Sequence, residues 1–136
     1  MPSFHFEELE HTADLALKVQ GHSLEEIFAN AAYGLFSMMA DLENLSPDVS
    51  REVHLKAPDR ESLLVGWLNE LLYLHEVKEE VYSRFDIKTL SPTWLSAVVW
   101  GTKTMASKLT VKAATFHDLA IRETEDGYLA TVVFDV

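Results

Sequence analysis

Leu63-Leu64-Val65-Gly66-Trp67-Leu68-Asn69-Glu70-Leu71-Leu72-Tyr73-Leu74 is the stretch on which the fold turns. Read as a helix, it sets Leu63, Leu64, Trp67, Leu68, Leu71, Leu72 and Leu74 on one broad apolar face. A face that wide packs on a sheet rather than facing water, so the stripe is core and not a cofactor box. Pro58-Asp59 opens the helix, with Asp59 as N-cap.

The flanks must then supply the sheet. Upstream, residues 51–56 read as a strand with Val53 and Leu55 on one face. From Val81 onward the pattern is strand throughout: residues 82–89, 94–100 and 109–117, with 101–108 as a polar loop. The chain ends in a hairpin, with residues 121–124 and 128–135 flanking Glu125-Asp126-Gly127, because Asp-Gly between apolar runs is a strong hairpin signal.

Nearer the start, residues 4–8 form a short strand. Leu15, Leu17 and Val19 then alternate with Ala16, Lys18 and Gln20, the period of a half-buried strand that Gly21 ends. Ser23-Leu24-Glu25-Glu26 matches a capping box: Ser23 accepts from the Glu26 N–H and Glu26 reaches back. The helix runs to about Met39, with Leu24, Ile27, Phe28, Ala31, Leu35 and Met38 as its buried stripe. Gly34 inside it costs about 1 kcal/mol against alanine, which close packing on a neighbour would explain. Residues 42–48, with Pro47, form a loop. The layout is α+β: two helices packed on a largely antiparallel sheet, a two-layer single domain over residues 1–136.

Composition narrows the function. At 136 residues the chain is one domain with room for a real core. It has no cysteine, which removes disulfides, thiolate zinc sites and cysteine nucleophiles and fits a reducing cytoplasm. The start is acidic and lacks the apolar run of a signal peptide, and no stretch is long enough for a membrane span. A net charge of -11 repels phosphate backbones and favours cations or a basic protein partner. Phosphate-loop, zinc-protease, nucleophile-elbow and helix-loop-helix calcium motifs are all missing. The six histidines are scattered. His22 and His54 read as surface residues and His75 as near a helix end. His11 and His117 sit beside distinctive segments, where a structural bond to backbone is the plainer role.

Two acidic spots remain, Glu10-His11-Thr12-Ala13-Asp14 in a loop that opens a strand, and Asp135-Val136. Taken alone they are better read as a solvated loop and a frayed terminus. If the fold joins them, three carboxylates converge, and like charges that close call for a proton or a hard cation.

Four segments together carry a family resemblance. Glu10-His11-Thr12-Ala13-Asp14 is similar to the Asp-His-Thr-Ala-Asp signature near the start of archeases, at a similar distance from the Ser-Leu-Glu-Glu helix start. The run at residues 63–74 resembles theirs. So does Val111-Lys112-Ala113-Ala114-Thr115-Phe116-His117, beside the family's Val-Lys-Ala-x-Thr-Tyr-His. Val132-Val133-Phe134-Asp135-Val136 is similar to the typical family finish. The resemblance spans essentially the whole chain.

It implies a small cytoplasmic accessory protein, not an enzyme, that activates an RtcB-type RNA ligase of tRNA splicing and RNA repair by promoting guanylylation and multiple turnover. It also implies a metal site, calcium in the family, at Asp14, Asp135 and Val136, and a ligase-activating role for Lys112. The donors are all hard oxygens, which suit calcium, with magnesium or manganese as alternatives, at modest affinity. On its own Lys112 reads as a solvated strand lysine. His11 would orient the acidic loop from behind the ligands, and Thr12 would bond its backbone. The chain departs from the family at Glu10, one methylene longer than the usual Asp. It departs again after Gly101, where Thr102-Lys103-Thr104-Met105-Ala106-Ser107 lacks the usual acidic residue and the later Arg-His or Lys-His pair. Two rivals stand beside this reading. One is a general adaptor or chaperone-like module whose carboxylates are only a structural staple. The other is a metal-dependent phosphoesterase, which the charge and the lack of a second metal cluster disfavour.

Overall fold

The computed structural model describes residues 5–10 and 14–136, with the backbone alone at residues 5 and 7–10. Helix α1 covers Leu24–Met39 and α2 covers Arg60–Lys78. Both start as the sequence predicts. Ser23 Oγ accepts from the Glu26 N–H at 3.2 Å, and Asp59 Oδ1 accepts from Ser62 at 2.7 Å. The return bond of the first cap lands one residue early, from the His22 N–H to Glu26 Oε1 at 3.2 Å. Helix α2 buries Leu63, Leu64, Val65, Trp67, Leu68, Leu71 and Leu72. Its Trp67 donates to the Phe28 carbonyl at 2.9 Å, tying it to α1 through a satisfied buried N–H. Neither helix is long and apolar enough to cross a membrane.

The strands divide between two antiparallel sheets rather than forming one. In the larger, β1 (His5–Glu10), β2 (Asp14–Gly21), β8 (Gly127–Asp135) and β6 (Ala113–Thr115) lie side by side, and β7 (Ile121–Thr124) pairs the other end of β8. In the smaller, β5 (Trp94–Lys103) lies between β3 (Val49–Lys56) and β4 (Glu80–Ser91). Helix α1 rests on β2 of one sheet and on β4 of the other, so a single core joins both. Gly34 is where α1 meets β2: a Cβ there would lie 2.7 Å from Leu17 Cδ2 and 3.2 Å from Phe6 Cγ. Close packing is indeed what the glycine permits.

Several boundaries differ from the sequence reading, three of them near the site or the groove. Glu10 is strand, paired with Leu15, so the loop of the early signature narrows to residues 11–13, which lie outside the described residues. The polar loop begins late, because β5 continues through Gly101 to Lys103 opposite Glu80. The strand at 109–117 shrinks to Ala113–Thr115, since its partner β8 ends at Asp135, opposite Ala113. The preceding segment instead crosses to the helix ends, where Ser107 and Lys108 both donate to the Met39 carbonyl at 2.9 and 3.0 Å. At the terminal hairpin, Glu125-Asp126 make the turn and Gly127 opens β8 at φ 147°, a conformation that strains any other residue.

Gly101 sits opposite Tyr82, beside a register shift in β4, where a Cβ would collide with the Val81 carbonyl oxygen and lie 2.8 Å from the Tyr82 ring. Gly101→Ala should therefore destabilise the domain by roughly 2–3 kcal/mol, from overpacking against backbone that cannot move cheaply. Urea unfolding checks this, and an unchanged midpoint would contradict it.

Candidate functional site

The β2–β8 ladder brings the two acidic spots together. Its first pair is Asp14 opposite Asp135, and Ala113 faces Asp135 from the other side. Directly opposed residues share a face, with Cβ atoms about 4.5–5.5 Å apart. The alternation fixes which face. Leu17, Val19, Ala130, Val132 and Phe134 belong to the core, so Asp14 and Asp135, one step out of phase with Leu15 and Phe134, sit on the face away from the helices. Asp14 is half-buried, and Asp135 and Val136 are exposed. Two like charges face each other in register, which disfavours the pairing unless a cation or a proton intervenes. Among the described residues no three His, Asp or Glu side chains gather to hold a metal. The arrangement consists of two facing side chains. His11 and Thr12 lie outside the described residues.

Lys112 lies at the same end of the sheet. Its backbone N–H donates to the Asp135 carbonyl at 2.8 Å, and its exposed side chain makes no ion pair among the described residues. It lines a groove of about 570 Å³ together with Asn69, Tyr73, His75, Glu76 and Met105. His117 is exposed and lies 3.3 Å from the Asp118 carboxylate. His22 and His54 are at the surface, with His22 Nδ1 3.0 Å from the Asp126 carbonyl.

His75 lies near a helix end as read from the sequence, but the bonding roles of Asn69, His75 and Glu80 beside the groove were not foreseen. Asn69 acts as a spare strand residue: its Oδ1 accepts from the Ala114 N–H at 2.7 Å and its Nδ2 donates to the Ala114 carbonyl at 3.1 Å. It thereby covers the outer edge of β6. A lone amide inside a leucine-rich helix was the available signal. His75, buried at the end of α2, donates from Nδ1 to the Glu80 carbonyl at 2.8 Å, which fixes its tautomer. Glu80 is itself buried. Its carboxylate accepts from Arg51 Nε and Nη2 at 2.9 and 2.6 Å and from the Tyr82 hydroxyl at 2.7 Å. The Arg51 hydrogen bonds outweigh desolvation and hold the Glu80 carboxyl below the usual carboxylate range. Burial and the same carboxylate push the Tyr82 hydroxyl up.

The structure is a two-helix α+β domain in which Asp14, opening β2, faces Asp135, closing β8. The Archease protein family (MTH1598/TM1083) model matches residues 6–136. The chain belongs to the archease family. Protein archease of Methanosarcina barkeri is 40% identical over 139 residues, covering 96% of this chain and 95% of that protein. The Saccharolobus islandicus protein is 40% identical over 136 residues, covering 96% and 98%. Among solved structures, protein 1598 of Methanobacterium thermoautotrophicum superposes with a TM-score of 0.78 at 32% identity, over 96% of this chain and 98% of that one. A Thermotoga maritima archease, described as a possible chaperone, shares the fold at 23% identity, with a TM-score of 0.65 and 96% of each chain covered.

The Glu80 network gives stability a defined pH dependence. A depressed folded-state carboxyl contributes stability that is present above its unfolded value, near pH 4–4.5, and lost as pH falls through the lower folded value. Glu80→Gln should cost roughly 2 kcal/mol at neutral pH, less than a fully buried broken pair because the Arg51 side chain is 37% exposed. Denaturant titrations of parent and variant from pH 7 down to pH 3 should converge, and a constant gap would refute the assignment.

Proposed function

We propose that this archease is an accessory factor that activates an RtcB-type RNA ligase of tRNA splicing and repair, promoting its guanylylation and multiple turnover rather than catalysing a reaction itself. The observation that carries the reading is the register of Asp14 against Asp135 in a chain of this family. Facing carboxylates in adjoining strands are an electrostatic cost that stability alone does not explain.

Asp14, Asp135 and the Val136 α-carboxylate would hold a divalent cation, calcium first, with magnesium or manganese suiting the same donors. Such a cation would offset the facing negative charges and offer a hard Lewis acid for oxygen donors of a partner. The half-buried Asp14 is the more constrained donor, and the exposed Asp135 faces it in the end pair of the ladder. His11 and Thr12 would orient the Asp14 ligand from behind it. Lys112, held at the same end of the sheet by its bond to Asp135, would meet a phosphate or carboxylate of the partner. The charge of -11 argues for a protein rather than an RNA as the direct contact, and the setting is the cytoplasm.

Single-turnover guanylylation of the cognate ligase, with and without this protein, tests the proposal. Asp14→Ala and deletion of Val136 should each reduce stimulation at least tenfold and weaken calcium binding measured by calorimetry. Stimulation retained in both variants would reduce the carboxylates to a structural staple. No stimulation by the parent would overturn the accessory role.

A further inference from the structure

Five large apolar side chains are exposed among the described residues, Tyr73, Val77, Met105, Phe116 and Val136. Three of them, Tyr73, Val77 and Met105, fall together beside the second half of α2. Tyr73 and Val77 lie one turn apart on the second half of α2. Met105 belongs to the segment laid across the helix ends, and joins Tyr73 in lining the groove. Single exposed apolar residues are ordinary, but Tyr73 and Met105 lining one groove, with Val77 a turn from Tyr73 and carboxylates around them, mark an interaction surface. Tyr73 at 58% and Met105 at 49% exposure have not been folded away into the core beside them.

The border identifies the occupant. Glu70, Glu76 and Glu79 stand on or at the end of α2 around Tyr73 and Val77, and none makes an ion pair among the described residues. Three unpaired carboxylates around an apolar stripe complement lysine or arginine. The route of approach is also restricted. Asn69 already bonds both backbone groups of Ala114, so the middle of β6 offers no free edge for strand addition. An occupant engages through side chains.

We propose that this face is a docking surface for a partner protein. Its occupant is a segment that seats an apolar side chain between Tyr73 and Met105 and sets basic residues against Glu70 and Glu76. This rests on the accessory reading above, and deepens it: the groove runs to Lys112, so docking would bring the partner to the Asp14–Asp135 end of the sheet.

The test is titration of the ligase with the parent, with Tyr73→Ser/Met105→Ser and with Glu76→Lys, reading the dissociation constant and guanylylation stimulation in parallel. Both positions of the double variant are exposed, and a thermal melt verifies its folding. The double variant should bind at least about tenfold more weakly, with stimulation recovering as its concentration is raised. Glu76→Lys should slow association and flatten its salt dependence. A parent that binds and stimulates while both variants match it overturns the docking surface and leaves the accessory role standing. A parent that neither binds nor stimulates overturns both. A weaker double variant with an unchanged Glu76→Lys keeps the apolar seat and overturns the basic character of the occupant.

Discussion

Eight consecutive residue pairs tie β2 to β8, and the rest of the larger sheet is arranged around that ladder. Its register decides two things at once. It turns Leu17, Val19, Val132 and Phe134 toward the helices, and it sets Asp14 against Asp135 on the other face. A slip of one residue would exchange the faces, burying charge and exposing the core. The apolar pattern thus enforces the approach of two carboxylates that would repel each other if left to themselves. Gly34 adds to the constraint, since it lets α1 settle directly on Leu17 and Phe6.

Helix α2 performs a different task. Its leucines and Trp67 fill the core, while its few polar positions organise what surrounds the groove. Asn69 closes the edge of β6. His75 anchors the helix end to the first residue of β4, and Glu79 turns the chain there in the left-handed conformation at φ 56°. Glu80 then reaches across to Arg51 on β3, so the helix end, β4 and β3 are locked through one buried carboxylate. The α2 side of the groove is thereby tied by hydrogen bonds to both sheets.

Both helices, their caps and most strands were legible because each rests on local periodicity or a short-range bond. Leu63 to Leu74 and the Ser23 and Asp59 caps are of this kind. The division into two sheets was not legible, because alternation identifies a strand but not its neighbour. The shortening of β6 was hidden for a related reason: its length is set by where β8 stops, and Leu109 and Val111 pack on the core without needing a ladder. The Arg51–Glu80–Tyr82 network joins residues far apart in sequence, and no spacing rule announces it. The approach of Asp14 to Asp135 came from likeness to a family. In the residues alone it looked like two unrelated acidic spots.

The strand that occupies the middle of the larger sheet is also the last in chain order. β8 alone connects β2 with β6 and β7, so β1 and β2 have no continuous sheet to join until it emerges. Its partners in the Asp14–Asp135 pair are about 120 residues apart, a long loop to close. During synthesis the smaller sheet, whose strands all precede residue 104, can assemble first. The exposed flank of α1 then waits for the last nine residues of strand to cover it. A nascent chain stalled short of β8 would be an open half-domain, and its carboxylates would never meet. Maturation of the fold and assembly of its acidic end are the same late event.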